Sequence, residues 1–478
     1  MAHGAGSTPT VDATLDAFTD FTVTFDPRTA PPEAMRRAHD ILIDTIGCVY
    51  GGREAPGATV GLAFPALPAD GAAGVVLTRT EQLPIDVAAF VNSSMLRFLD
   101  YNDTLRVSHP SDMLGALLAV THVTRPTLED LLGAIVVAYE VFHRLSERML
   151  HMTPEDGFVV EPYTLDQGYA VAVGGAAGLA RLMGLDAERT RHALSFAATN
   201  GTPLRATRSG QLSNYKGVAT AVSARHAVFC AHMAAQGLTA PEGPFEGRHG
   251  IVELLTGTAG PFGLEPLPGA PGAADGRAAW GILHTQLKYF PCTANTQIGV
   301  WAALELRGLV DAADVTRITL HTCEFLHHES GVEAAKWRPT TRETADHSLP
   351  YVVAHALRHG GVGVGSYTPE HLNDPETLRV MDTIEVVVDD DIEAAWPGVL
   401  QVRAVAETRD GTTHTVHVQD PKGTSANFFT AEDLRTKFVA LATPVIGAEA
   451  AEAAHRAVAD AASDTPVADI VAALTPQG

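Results

Sequence analysis

The run YAVAVGGAAGLARLMGL, from Tyr169 to Leu185, decides the fold class of this chain. Its residues are mostly small or apolar, and no charged residue occurs before Arg181. A helix that is apolar all round is buried, and small residues let its neighbours approach closely. The run therefore predicts a domain made of tightly packed helices.

Helical patterns continue away from this run in both directions. A pattern that resembles a capping box at residues 127–130 predicts a helix extending to about Leu150. Near the other end of the chain, apolar periodicity predicts two more helices at residues 431–441 and 448–462. We expect this C-terminal segment to rejoin the helical domain.

A different pattern lies between these helical regions. Residues 260–276 are rich in Pro and Gly and indicate a loop before a domain boundary. A helix is expected around residues 347–359, and Asp410-Gly411 has the composition of a hairpin turn. Short β-branched runs predict strands at residues 317–325, 383–388, 401–407 and 412–418.

These patterns together predict a mainly α fold with two domains. A large all-helical domain is formed by both chain ends, residues 1–275 and 422–478. An inserted smaller α+β lid domain takes residues 276–421. A chain of 478 residues is long enough for two such cores.

Composition excludes several classes of partner and site. The net charge of -23 disfavours nucleic acid and anionic membranes. The four cysteines form no CxxC, zinc or iron–sulfur spacing, and Cys48 and Cys230 fit buried thiols. The N-terminal residues lack a signal-peptide pattern, and no run has transmembrane length, so we expect a cytoplasmic protein. His327-His328-Glu329 has no further ligand at a diagnostic spacing, and no metal or nucleotide site is predicted.

One candidate site lies in the acidic stretch LDYNDT, followed at once by HPSD. It contains Asp100, Asp103, Thr104 and His109. Helix capping explains such residues too. However, a His close to a helix N-terminus favours the neutral ring, and several ionisable groups together favour proton transfer.

A second candidate is a stretch without any Asp or Glu, residues 189–241. A solvated surface loop is the alternative to an anion site there. In so acidic a chain, cations that lack acidic neighbours in sequence favour binding of a substrate carboxylate. The cations at issue are Arg189, Arg191, Arg205, Arg208, Lys216 and Arg225.

Two weaker signals lie in the predicted lid. Lys288 stands between apolar residues, which fits a snorkelling lysine as well as a substrate contact. His347 and Tyr351 would share one face of a helix at spacing i, i+4.

The ordered set of these segments resembles the MmgE/PrpD family. The strings are LRFLDYNDT with HPSD, TNGTPLRATR, NYKG, LKYFP, ADHSLPY and DPKG. The resemblance runs from about Ala34 to Leu441 and is nearest to the iron-independent 2-methylcitrate dehydratases. It implies the same helical domain and inserted lid, a cleft between them, a homodimer, and no metal or organic cofactor.

The resemblance also implies roles for residues. The cleft residues would be Asp100, Thr104, His109, Lys216, Arg225, Lys288, His347 and Tyr351, with Arg205 and Arg208 as further carboxylate binders. Two positions depart from the family pattern. Gln167 stands where members usually carry a His, and Thr293 stands near the His of the decarboxylases.

The resulting hypothesis is a metal-independent hydro-lyase that dehydrates a small hydroxy-tricarboxylic acid such as 2-methylcitrate. The cations neutralise substrate carboxylates, which lowers the cost of removing a proton α to one of them. His109 transfers the proton, oriented by Asp100, Thr104 bonds the substrate, and His347 or Tyr351 is the partner acid. The same residues would serve a cis-aconitate-type decarboxylase or an epimerase or isomerase of a polyacid. A non-catalytic polyacid-binding protein is the alternative of another class.

Overall fold

A computed structural model describes the backbone of residues 12–65, 73–105, 108–150, 165–200, 203–208, 213–396 and 398–475. The N-terminal residues that bear on the signal-peptide prediction lie outside these ranges, as does the side chain of Arg208. The chain divides into two compact units. The helical unit combines Met1–Phe98, Asp103–Thr285 and Ala431–Gly478, and the α/β unit combines Leu99–Asn102 and Gln286–Thr430.

The helical unit contains fourteen of the α-helices in the described residues. Those before the α/β unit are α1 (Ala13–Thr24), α2 (Pro32–Gly51), α3 (Pro56–Leu62), α4 (Ile85–Arg97), α5 (Leu114–Ala119), α6 (Thr121–Thr124), α7 (Leu128–Leu150), α8 (Gly168–Leu182), α9 (Ala187–Thr199), α10 (Ala219–Ala235) and α11 (Ile251–Thr256). Those after it are α19 (Ala431–Ile446), α20 (Ala448–Ala459) and α21 (Val467–Leu474).

Helix α8 lies in the core of this unit because its glycines admit the neighbouring backbone. A Cβ atom at Gly174 would lie 2.8 Å from the Ala138 carbonyl oxygen, and one at Gly178 would lie 3.0 Å from that of Ala134. Both carbonyls belong to α7, so α7 and α8 touch along their backbones. The tight helix packing predicted from the Gly/Ala run is confirmed.

The C-terminal helices pack in the same unit as the N-terminal ones. Helix α19 lies against α2, and buried Lys437 places its Nζ 2.6 Å from Oδ1 of Asp44. Because each buried charge is neutralised by the other, this pair fixes how the two helices face each other.

The α/β unit holds one four-stranded sheet and seven helices among the described residues. The strands are β1 (Val315–Thr322), β2 (Ile384–Val388), β3 (Gln401–Thr408) and β4 (Thr413–Gln419). The helices are α12 (Gln297–Arg307), α13 (Glu324–Gly331), α14 (Arg342–Ala345), α15 (Leu349–His359), α16 (Pro369–Leu372), α17 (Pro375–Met381) and α18 (Asp390–Ala395).

The sheet has the order β2-β1-β3-β4, with β1 parallel to β2 and the other pairs antiparallel. Gly411 has a φ of 83°, which suits the predicted turn between β3 and β4. All four predicted strands are present, but the first ends at Thr322, earlier than the predicted end at residue 325. Glu324 and Phe325 start α13 instead.

The mainly α fold class is therefore confirmed, with a single small sheet in the described residues. Within these residues, no helix combines the length and apolar character that crossing a bilayer requires. All four cysteines are buried, as predicted for Cys48 and Cys230.

Candidate active site

A buried lysine forms the centre of a polar cluster in the α/β unit. Lys288 is 2% exposed, and its Nζ donates to Oδ1 of Asp100 at 2.7 Å and to the Asp100 backbone oxygen at 2.8 Å. A snorkelling lysine would place its ammonium in water, so that interpretation of Lys288 is excluded. The ammonium is held on a carboxylate instead, where its charge is kept inside the protein.

Asp100 adopts a backbone conformation that few residues tolerate. Its φ of 48° lies in the left-handed region, which costs an ordinary residue about 1 kcal/mol and which Asp enters more easily than most. Tyr101 donates from its hydroxyl to the Tyr289 oxygen at 2.6 Å, and Arg342 donates to the Leu99 oxygen at 3.1 Å. These bonds hold the Leu99–Asn102 segment in place, so the unusual backbone presents Asp100 to Lys288.

A close backbone contact supports the segment that carries Lys288. The Leu287 amide donates to the Gly423 oxygen at 2.9 Å, and Gly423 has a φ of 101°. A Cβ atom at Gly423 would lie 2.0 Å from the Leu287 oxygen. Only glycine fits there, which explains physically why DPKG accompanies LKYFP in this chain.

His347 completes this lysine cluster, which consists of Asp100, Lys288, Asp346 and His347. Its Nε2 lies 3.6 Å from Oδ2 of Asp100, and its Nδ1 contacts Oδ1 of Asp346. The imidazole is 27% exposed whereas both carboxylates are buried, so the ring is the part that solvent reaches. A carboxylate at each ring nitrogen orients an imidazole for proton transfer.

The same cluster is a poor metal site despite its two carboxylates and one histidine. Asp100, Asp346 and His347 offer ligand atoms that lie within 4.8 Å of one another. However, the Lys288 ammonium already lies 2.7 Å from the Asp100 carboxylate. A second cation at that oxygen would be repelled by the first.

A histidine cluster of different character lies in the helical unit. His109 is 7% exposed, and its Nδ1 lies 2.7 Å from the backbone oxygen of Asp103. A carbonyl oxygen can only accept, so Nδ1 carries the proton and the neutral ring has its lone pair on Nε2. His109 is therefore held in the tautomer that a general base requires.

Asp103 anchors the loop that carries this histidine. Its Oδ1 accepts from the Ser111 amide at 3.1 Å, and its Oδ2 accepts from the Tyr139 hydroxyl at 2.7 Å. Burial raises the pKa of Asp103 to about 7, and these hydrogen bonds oppose that rise only in part. The His109 cluster consists of Asp103, His109, Ser111, Tyr139 and Gln167.

Gln167 acts on the backbone of the predicted base. Its Oε1 accepts from the His109 amide at 2.7 Å, at the start of α8. The neighbouring Asp166 is buried and accepts from the Gly168 amide at 3.0 Å and from the Thr207 hydroxyl at 3.2 Å. The side chain at position 167 therefore helps to set where His109 lies.

The structure changes the interpretation of the acid-free stretch. Arg225 is 47% exposed, and its Nε donates to Oδ2 of Asp86 at 2.8 Å. Arg191 contacts Asp16. The Nη1 of Arg189 lies 3.6 Å from Oδ2 of Asp186, the cap of the same helix. The inference that these cations lack carboxylate partners is wrong for all three, because chain folding and residues just outside the stretch supply the acids. Lys216 is buried at 9% exposure, and Arg205 is half-buried in a short 3-10 turn.

Three other predicted residues have structural partners. Thr104 is buried, and its hydroxyl donates to the Ser108 oxygen at 3.1 Å. Tyr351 is fully buried and donates to the Ser366 oxygen, while the same helix, α15, begins next to His347. The Asp100 carboxylate pairs with Lys288, and the Nδ1 of His109 uses a backbone oxygen, so the proposed orientation of His109 by Asp100 stays a prediction.

Comparison with known proteins shows the family to which the chain belongs. Residues 16–261 match the MmgE/PrpD N-terminal domain, and residues 290–463 match the MmgE/PrpD C-terminal domain. The chain belongs to the MmgE/PrpD family.

Relatives within the MmgE/PrpD family carry two kinds of name. The chain is 22% identical to cis-aconitate decarboxylase of Homo sapiens, over 87% of this chain and 85% of that protein. It is 27% identical to 2-methylcitrate dehydratase of Cupriavidus necator, over 74% of this chain and 73% of that protein. It is 24% identical to the cis-aconitate decarboxylase-like protein oryM of Aspergillus oryzae, over 98% of each chain.

Within this MmgE/PrpD chain, sequence reasoning missed the roles of Asp103, Tyr139 and Asp346. Asp103 was noted only as one of several acids, and Tyr139 lies in the middle of an apolar helix, α7. A polar residue in such a helix was the available signal, since a buried hydroxyl needs a partner.

Proposed function

We propose that this protein is a hydro-lyase that dehydrates a small hydroxy-tricarboxylic acid such as 2-methylcitrate. The reaction would need no metal ion or organic cofactor. The observation that carries the proposal is the buried Lys288 ammonium on Asp100, with the part-exposed His347 beside them. The MmgE/PrpD membership and the dehydratase relative support the same reaction class.

The cations have the task of binding and neutralising the substrate carboxylates. Lys288 and Lys216 are buried, and an ammonium shielded from water interacts more strongly with an anion than an exposed one does. Arg205 and Arg208 are further proposed carboxylate contacts. We leave Arg225 out of this set because its side chain is 47% exposed to solvent.

His109 is the proposed base. Its Nε2 lone pair takes the proton from the carbon α to a substrate carboxylate. The electron pair of that C–H bond forms a double bond to the carboxylate carbon, and the electron pair of its C=O bond moves onto oxygen. A lysine ammonium bound to that carboxylate would stabilise the enediolate charge. Because Nδ1 stays bonded to the Asp103 oxygen, the ring keeps its orientation while it gains the proton.

His347 is the proposed acid. The electron pair returns to form the carbon–carbon double bond while the carbon–oxygen bond to the hydroxyl group breaks. The proton that His347 donates converts the leaving hydroxide to water. Asp346 at Nδ1 keeps the ring in position, and Nε2, which lies 3.6 Å from Asp100 and so beyond hydrogen-bond distance, would donate the proton.

A decarboxylase is the second candidate, favoured by the human relative that covers 87% of this chain. The same base and cations would stabilise the carbanion formed when carbon dioxide leaves. The residue at position 293 argues for dehydration, because threonine cannot exchange protons at neutral pH as histidine does. Thr293 lies in the α/β unit, where its amide donates to the Asp346 oxygen at 2.9 Å.

A proton NMR time course distinguishes these reactions. The full chain, treated with EDTA, is incubated with 2-methylcitrate, and in parallel with cis-aconitate. Vinyl signals of a methylaconitate support the dehydratase, whereas itaconate from cis-aconitate supports the decarboxylase. Exchange of substrate protons with deuterated solvent and no other change would indicate an epimerase or isomerase. Binding without any of these changes would refute an enzymatic function.

Variants test the residue roles in the same assay. His109→Ala and His347→Gln should each reduce turnover by about a hundredfold or more, as expected for general acid–base groups. The matched control is His328→Ala, whose side chain is 76% exposed in the α/β unit. Full activity in His109→Ala would reject that residue as the base.

We also propose that the protein is a homodimer, as the family resemblance implies. Light scattering after size-exclusion chromatography should give twice the chain mass of 50.4 kDa. A mass of one chain at the assay concentration would contradict this proposal.

A further inference from the structure

Three histidines gather at the far end of the helix that follows His347. His355 and His359 lie one turn apart on α15, and His371 lies on the short helix α16. Each offers one ring nitrogen, and the three nitrogens lie within 4.8 Å of one another. The ring centroids are 4.4, 5.1 and 5.2 Å apart, so the three rings form a triangle rather than a row.

The backbone turn after α15 prepares His355 as a ligand. Gly360 has a φ of 82° and ends the helix, so the chain turns back and the Gly361 oxygen comes within 2.9 Å of His355 Nδ1. This carbonyl can only accept, which leaves the lone pair of the neutral ring on Nε2. A metal-binding histidine commonly has this arrangement, with its other nitrogen donating to a backbone carbonyl.

The second ring nitrogen of His355, Nε2, is buried and makes no hydrogen bond within the described residues. His355 is 3% exposed. A buried polar atom without a partner destabilises the fold, so a ligand at this atom would be favourable.

Acidic and basic side chains both lie beside the cluster. Asp374 lies beside it, with Oδ2 3.9 Å from Nε2 of His359, and it caps α17 by accepting from the Thr377 amide at 3.1 Å. Arg358 would repel a cation, but its guanidinium contacts this same carboxylate. Arg307 donates from its Nη1 to the Leu357 and Arg358 backbone oxygens at 2.6 Å each.

We propose that His355, His359 and His371 form a binding site for one divalent transition-metal ion, with zinc as the best match. Zinc binds imidazole nitrogens at about 2.0–2.1 Å in a tetrahedron, which puts ligand nitrogens about 3.3 Å apart. The three nitrogens would need to close by about 1.5 Å at most. His359 and His371 are partly exposed and can rotate toward the buried His355. Water would supply the fourth ligand.

The proposed ion is structural. His355 lies eight residues after His347, about 12 Å along a helix axis, so the ion does not enter the proposed reaction. It would join the last turn of α15 to α16. This proposal does not depend on the proposed dehydratase activity, because its test measures binding.

The test is a zinc titration of the full chain after chelator treatment and desalting, followed by calorimetry. The wild type should bind one equivalent, and Co²⁺ in place of zinc should give the intense visible absorption of a tetrahedral complex. His371→Ala and His359→Gln should each bind zinc at least about tenfold more weakly. His328→Ala, which removes an exposed histidine of the His327-His328-Glu329 group, should bind like the wild type.

Several results would overturn the proposal. One is the absence of stoichiometric zinc binding by the wild type, and another is equal loss in His328→Ala and in the cluster variants. A third is a cobalt spectrum typical of six-coordinate water ligands. Circular dichroism of each variant shows whether it is folded, and zinc should raise the melting temperature of the wild type but not of His371→Ala.

Discussion

Replacing Asp103 by Asn should remove a pH dependence of stability that this buried carboxyl imposes. Its pKa is raised by burial from 3.8 to about 7, so between those values the folded state holds a proton that the unfolded state has released. The contribution of Asp103 to stability is therefore complete below about pH 4 and is lost as the pH rises through about 7. One pKa unit corresponds to about 1.4 kcal/mol, so the full effect is about 4 kcal/mol, and about 2–3 kcal/mol of it falls between about pH 5 and about pH 7.5.

The Asn side chain reproduces the protonated acid. Its oxygen can accept from the Ser111 amide, and its NH₂ group can donate to the Tyr139 hydroxyl, which both donates and accepts. The free energy of unfolding is measured by urea denaturation of wild type and Asp103→Asn at about pH 5 and about pH 7.5, followed by far-UV circular dichroism. The variant should gain about 2–3 kcal/mol relative to the wild type on going to the higher pH.

A matched control uses a carboxylate with the opposite shift. Asp26 is exposed, and its hydrogen bonds from Arg28 lower its pKa, so it is ionised in both states across this range. Asp26→Asn should therefore show no such pH-dependent difference. If Asp103→Asn differs from the wild type by the same amount at both pH values, Asp103 is ionised equally in both states and the reasoning is refuted.

Three further predictions concern Lys288, Gln167 and Gly423. Lys288→Met should reduce kcat/KM by about a hundredfold or more. It should also destabilise the fold by about 3–5 kcal/mol because it removes the cation closest to the buried Asp100 carboxylate; adding Asp100→Asn should restore stability in urea denaturation but not activity. Gln167→Ala should lower kcat while leaving KM within about twofold, since the His109 amide loses an acceptor and the base shifts; a change in KM alone would contradict this. Gly423→Ala should lower both the melting temperature and kcat/KM, because its Cβ would lie 2.0 Å from the Leu287 oxygen; a folded, fully active variant would contradict it.

Much of the secondary structure could be predicted because its signals are local. Periodicity and β-branched runs located all four strands and α15, and the Gly/Ala run of α8 predicted its close contact with α7. Boundaries were less certain, since the end of β1 depends on where its neighbouring strand stops pairing. Val388 is the last residue of β2 to pair, opposite Thr322.

The candidate site was harder to predict because its partners are distant in the chain. Lys288 and Asp100 are 188 positions apart, and the spacing around Lys288 alone did not distinguish a buried ion pair from a surface lysine. Arg225 shows the reverse error, since its nearest acid comes from Asp86, 139 positions away. Local absence of acids in the sequence does not establish absence of acids in the fold.

The cluster of His355, His359 and His371 could not be predicted for a related reason. His355 and His359 have the i, i+4 spacing of a metal-binding helix, but the third histidine follows twelve positions later on another short helix. A loop of unknown path separates them in the sequence. The backbone turn at Gly360, which its positive φ defines, redirects the chain after α15, so that His371 can lie beside His355 and His359.

The contact between Gly423 and Leu287 has a consequence for protein engineering. Leu287, the residue before the proposed substrate-binding Lys288, contacts the backbone of Gly423, 136 positions later in the chain, so the paths of the two segments depend on each other. A chimera made from two relatives would have to exchange residues 286–430 as one cassette. Cutting this stretch between its first and last motifs would join a lysine loop from one parent to a glycine turn from the other, and the fit of those two backbones would decide whether the hybrid works.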